Sequence, residues 1–141
     1  MKNAIDNNTA IFAAIGRVLL ATIFIFSALG KIAAPAATIG YIESMGLPFA
    51  TAGLAIAVAV ELGGGLLLVL GVKTRLVAAA LAAFSIVTGL VFHNAIGDQN
   101  QLIHLLKNIA MAGGLLQVVA FGAGAFSFDG RTGRQAAAHT A

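Results

Sequence analysis

The 141-residue sequence contains no cysteine and no tryptophan, and only eight basic and five acidic residues. Without cysteine the chain itself forms no disulfide framework, thiolate metal site, iron–sulfur ligand set or thiol redox couple. Any redox role therefore has to come from a bound molecule or a partner. Charged residues make up 9% of the chain, against roughly a quarter in an ordinary soluble domain. So few charges exclude a water-soluble globule, because a domain this small leaves much of its surface wet. The basic residues are scattered and make no face that could track phosphates, which excludes nucleic acid as a partner. No HExxH motif or carboxylate cluster offers a metal site, and Ser27, Ser44, Ser85 and Ser127 lack a nucleophile setting.

What the sequence has instead is apolar length, with 60% of its residues hydrophobic. These gather into four runs, at residues 10–31, 47–71, 76–93 and 102–126. At about 1.5 Å per residue each run reaches roughly one hydrocarbon thickness. The expected fold is an all-α membrane protein, a four-transmembrane-helix antiparallel bundle over residues 10–129. Ala33 to Gly46, Val72 to Arg75 and His93 to Gln101 read as loops by composition. A cleavable signal peptide is a poor account of the first run: signal cores span about 7 to 15 residues, and Arg17 interrupts this one. Lys2, Lys73, Arg75, Arg131 and Arg134 fall on one side of the expected membrane, with Lys31 alone at the edge of the other. That bias predicts cytoplasmic termini in a bacterial inner membrane. Residues 1–9 form the amino-terminal cytoplasmic segment, and 130–141 a disordered cytoplasmic tail.

Ionisable groups within apolar spans are costly and call for partners or a function. Arg17 and Glu61 are expected to meet as a buried charge pair between the first two spans; the functional reading makes Glu61 a proton-accepting or ligand-orienting carboxylate. Arg17 and Lys31 share a helix face with Phe24 and Ala28, and that stripe should point inward. His104, Lys107 and Asn108 share a face of the fourth span, and His93 ends the third at a similar height. With Lys31, these residues are candidates for a polar ligand site in the outer half, between the third and fourth spans. Snorkelling toward headgroups is the alternative for Lys31, His93 and His104. Haem between His93 and His104 is disfavoured, since only one such pair exists and neither residue lies deep. Gly63-Gly64-Gly65, Ala112-Gly113-Gly114 and Gly122-Ala123-Gly124 read as places of close helix packing.

The strings GRVLLATIFIFSALGKI, YIESMGLPFA, ELGGGLLLVLGVKTR, KNIAMAGGLL and GAGAFSFDG, in that order and spacing, resemble the DoxX family of small four-span bacterial membrane proteins. Arg17, Gly30 and Lys31 match its first-span pattern, and Gly46, Leu47 and Pro48 its loop. Glu61, Gly64, Gly71, Thr74 and Arg75 match its second span and turn, and Gly122, Gly124, Ser127 and Asp129 its closing segment. Ala28 stands where glycine is more usual. The resemblance implies a four-helix bundle and an accessory role beside redox systems, including quinone-linked ones, or a scaffolding role.

Three functional classes follow. The first is a non-catalytic accessory subunit binding a quinone or similar lipophilic molecule, with Lys107, His104 or Asn108 as hydrogen-bond donors. The second is a scaffold or assembly protein without small-molecule chemistry. The third is a carrier for a small anionic or lipophilic solute, suggested by intramembrane cations but lacking paired helix interruptions. Expected partners are membrane lipids, a redox subunit or a second copy of the chain.

Overall fold

A computed structural model describes residues 2–132, with side chains from residue 7 onward. The described chain is helical throughout: α1 (Lys2–Ala33), α2 (Pro35–Ser44), α3 (Ala50–Val58), a π-helical segment (Ala59–Gly63), α4 (Gly64–Leu70), α5 (Thr74–Phe92) and α6 (Gln99–Phe121). α3, the π segment and α4 run on as one span, so four stretches are long and apolar enough to cross a membrane: Asn7–Ala33, Ala50–Leu70, Thr74–Phe92 and Gln99–Phe121. α1 packs on the second span and α5 on α6. A small core of Ala21, Phe24, Leu68, Ala78, Leu81, Ala82, Ala112 and Leu115 joins them. The outer faces are apolar too: Phe12, Leu19, Phe26 and Phe121 are exposed. Such a surface is stable against lipid and not against water.

The breaks between helices have local causes. Pro35 ends α1, because proline disfavours helical geometry at Ala34 before it, and then opens α2 at a position where its missing N–H costs nothing. α2 corrects the loop expected over Ala33 to Gly46; only Ala34 and the stretch from Met45 to Phe49 are irregular. Gly71 closes α4 at φ 71°, with the Val72 N–H reaching back to the Leu67 carbonyl at 3.1 Å. The fourth span stops at Phe121, short of the expected residue 126, because Gly122 and Gly124 take φ values of 81° and 77°. These two glycines thus make a turn, and Gly124 also serves the close packing expected of it, since a Cβ there would lie 2.9 Å from Ala13 Cβ. Residues 128–132 form a helical turn where the tail was expected to begin, and 133–141 lie outside the described residues.

Gly64 and Gly65 do serve packing. A Cβ on Gly64 would lie 2.9 Å from Leu81 Cδ2, and one on Gly65 2.7 Å from Ile25 Cγ1. The π segment immediately before them holds Glu61. Its wider turn inserts one residue into the helical register, a feature that often accompanies functional side chains.

Candidate functional site

The stripe expected to face inward does so: Arg17, Ala21, Phe24 and Ala28 are all buried along α1. The expected pairing of Arg17 with Glu61 is overturned. Arg17, 2% exposed, points away from Glu61 toward the end of α4. Its Nη1 donates to the carbonyls of Leu68 at 2.9 Å and Val69 at 3.2 Å, and its Nη2 to that of Phe126 at 2.6 Å. Helix C-termini leave carbonyls unpaired and carry partial negative charge, so α4 provides the counter-charge that Glu61 was expected to supply.

Asp129 completes this junction from the opposite side. Its carboxylate accepts the Thr74 N–H and hydroxyl, both at 2.7 Å, and the Lys73 N–H at 2.9 Å, while its own N–H donates to Gly71 O. Burial alone would raise the Asp129 carboxyl pKa. The bonds from Thr74 and Lys73, together with the Arg17 charge, outweigh burial and hold it below the ordinary carboxylate value. Arg17 and Asp129 thus grip the turn between the second and third spans, one by its carbonyls and the other by its amides. Gly71 is required where they meet, because a Cβ there would collide with Ser127 and Arg17.

Glu61, 6% exposed, is held instead by Lys31 and Ser27 of α1. Lys31 Nζ lies 3.0 Å from Oε1 and 2.8 Å from Oε2, and also donates to Ser27 Oγ at 2.7 Å. The Ser27 hydroxyl in turn donates to Oε1 at 3.1 Å. Lys31 therefore turns inward instead of snorkelling. It is the better-placed partner because it lies at the same height as the π segment, whereas Arg17 is engaged at the far end of α4.

This triad forms one wall of a cavity of about 670 Å³. Lys31, His93, Lys107 and Asn108 all line it, on surfaces otherwise supplied by Phe24, Ile56, Phe84 and Met111. It is wider than the expected site between the third and fourth spans: α1, α2 and the second span enclose it as well. α2 lies across it, and Tyr41 ties α2 to α5 by donating its hydroxyl to Phe92 O at 3.2 Å.

His104 is the expected site residue that the cavity leaves out. Its ring stacks on His93, centroids 5.0 Å apart, and its Nδ1 is 3.2 Å from the exposed Lys107 Nζ. Ser27, Ser85, Thr88 and Tyr41 also line the cavity. Spacing gave some signal for them: Ser27 lies one helical turn before Lys31, and Ser85 and Thr88 lie two turns and one turn before the end of α5.

Comparisons with known proteins agree with this architecture. The DoxX family model matches residues 12–94. The chain is 34% identical to the inner membrane protein YqjF of Escherichia coli (strain K12), covering 82% of this chain and 87% of that one. It is 31% identical to the inner membrane protein YphA of the same organism, covering 83% and 87%. No solved structure matches the chain.

Proposed function

The chain belongs to the DoxX family as a multi-pass inner-membrane protein, and on that premise we propose that it is a non-catalytic accessory subunit of a membrane redox system, holding a quinone or similar lipophilic molecule in its cavity. The observation that carries this reading is the convergence of Lys31, His93, Lys107 and Asn108 from α1, α5 and α6 on one mainly apolar cavity. Small-molecule sites typically combine apolar walls with a few placed polar groups, in volumes of about 300 to 1,000 Å³. A lipophilic ligand reaches such a site from the bilayer, and its ring oxygens meet the ammonium and amide groups. The chain offers no thiol to carry electrons, so its part is to bind and present the molecule to a partner.

Extraction in mild detergent followed by mass spectrometry of bound lipids and quinones tests the proposal. Quinone near stoichiometry is expected. Lys107→Leu with Asn108→Leu should lose it while thermal stability is kept, since apolar replacements suit a site within lipid. A well-folded double variant with a full complement of quinone overturns the assignment of the cavity.

A further inference from the structure

We infer that α2 is a hinged lid over the outer end of the cavity, latched by Tyr41, and that its opening admits the ligand. Such a lid serves any occupant of the cavity and does not depend on the quinone reading. The deep wall is closed to solvent as it stands: Ser85 and Glu61 line the cavity but are 1% and 6% exposed. A molecule that is to reach them needs an element to move, and α2 is the element least tied down. Ala37, Thr38, Tyr41 and Ile42 turn one face of α2 to the cavity. Of its ten residues only Ile42 is buried, beside Gly53 of the second span.

Among the described residues, one hydrogen bond joins α2 to another span: the Tyr41 hydroxyl donates to Phe92 O at 3.2 Å, with the two ring centroids 5.6 Å apart. Thr38 and Ser44 bond only locally, to Ala34 O and Tyr41 O. Phe92 ends α5, where a carbonyl has no partner in its own helix. The latch can therefore be given up to water without breaking a helical hydrogen bond. Both ends of α2 are joints. Ala34 lies outside helical geometry before Pro35, and Met45 to Phe49 separate α2 from α3. In the second joint Gly46 takes φ 73° and Phe49 φ 57°. A phenylalanine keeps a left-handed backbone only where its surroundings impose it, so the closed position carries strain beside a glycine that turns freely. A few residues at element ends are what a hinge needs to absorb the rotation while the helix moves as a body.

The test uses the full chain in lipid nanodiscs with one introduced cysteine, Ser85→Cys, on the deep wall; the chain has no cysteine of its own. Sulfonatoethyl methanethiosulfonate, a small water-soluble reagent, is added and modification is followed by mass spectrometry. Where opening and closing outpace the reagent, the labelling rate reads the open fraction. Tyr41→Phe keeps the ring and removes only the hydroxyl, and should raise the rate roughly two- to tenfold, the worth of one hydrogen bond. Tyr41→Ala, which also loses the ring contact, should raise it further. Ala82→Cys, on the same helix but in the core, is the control and should label no faster in either Tyr41 variant. An unchanged rate at Ser85→Cys in both variants overturns the lid. An equal rise at Ala82→Cys shows the whole bundle loosening and overturns it too. If Ser85→Cys does not fold, Thr88→Cys, one turn nearer the latch on the same cavity wall, is read in the same way.

Discussion

Lys31 and Glu61, thirty residues apart in sequence, meet with the ammonium 3.0 Å from one carboxylate oxygen and 2.8 Å from the other. The contact joins the end of α1 to the π segment at the cavity wall. Ser27 bridges both partners. It anchors the polar end of the site where a continuous α-helix would turn Glu61 to a different face.

Removing one member of this pair should leave a buried charge without compensation, a loss of about 3 to 5 kcal/mol before water entering the cavity reduces it. Lys31→Met and Glu61→Gln together should cost less than the sum of the single changes, read as thermal stability in detergent. Arg17→Gln with Glu61→Gln should instead be additive. Coupling in that second pair would contradict the separation of the two charges.

Arg17→Lys should destabilise nearly as much as Arg17→Gln, by roughly 3 kcal/mol, because one ammonium cannot span the carbonyls of Leu68, Val69 and Phe126. Gly71→Ala should damage the same junction by collision and by its left-handed backbone. Full stability of either variant in a detergent melting assay would contradict the junction.

Asp129 has a folded pKa below its ordinary value of 3.8. Its contribution is therefore complete above the unfolded value and is lost as pH falls through the lower, folded one. Stability measured downward from pH 6 should decline below about 4 in the wild type. Asp129→Asn should start lower and show a flatter acid limb. Identical acid limbs would show that this carboxylate is not the titrating group.

Single cysteines at Gly97 and Thr132 test orientation without background, since the chain has no cysteine of its own. An impermeant thiol reagent outside whole cells should label Gly97→Cys and not Thr132→Cys, as the basic bias requires. The reverse pattern would invert the topology.

The spans and the inward stripe of α1 were legible because each is a property of one stretch of sequence: apolar length for the spans, and spacing from Arg17 through Phe24 to Ala28 for the stripe. The gathering of Lys31, His93, Lys107 and Asn108 was legible from their common height along the spans. The partner of Arg17 was not. Charge counting offers Glu61 as the sole acid within the spans, whereas backbone carbonyls leave no mark in the sequence until a helix end is placed among them. The π segment is equally silent, because a helix apolar on nearly every face shows no phase shift when one residue is inserted. α2 was missed because ten residues between glycine- and proline-containing joints resemble a loop in composition.

The spans differ in length, and this ties the cavity to bilayer thickness. At about 1.5 Å per residue, the 19 residues of Thr74–Phe92 reach roughly 28 Å and the 27 of Asn7–Ala33 roughly 40 Å. In a membrane that fits the shorter helix, the longer one has to tilt or protrude. His93 lies at the end of the short helix and Lys31 near the end of the long one. A thicker or thinner membrane therefore changes the tilt between two walls of the same cavity, making the distance from His93 to Lys31 a quantity that lipid composition adjusts.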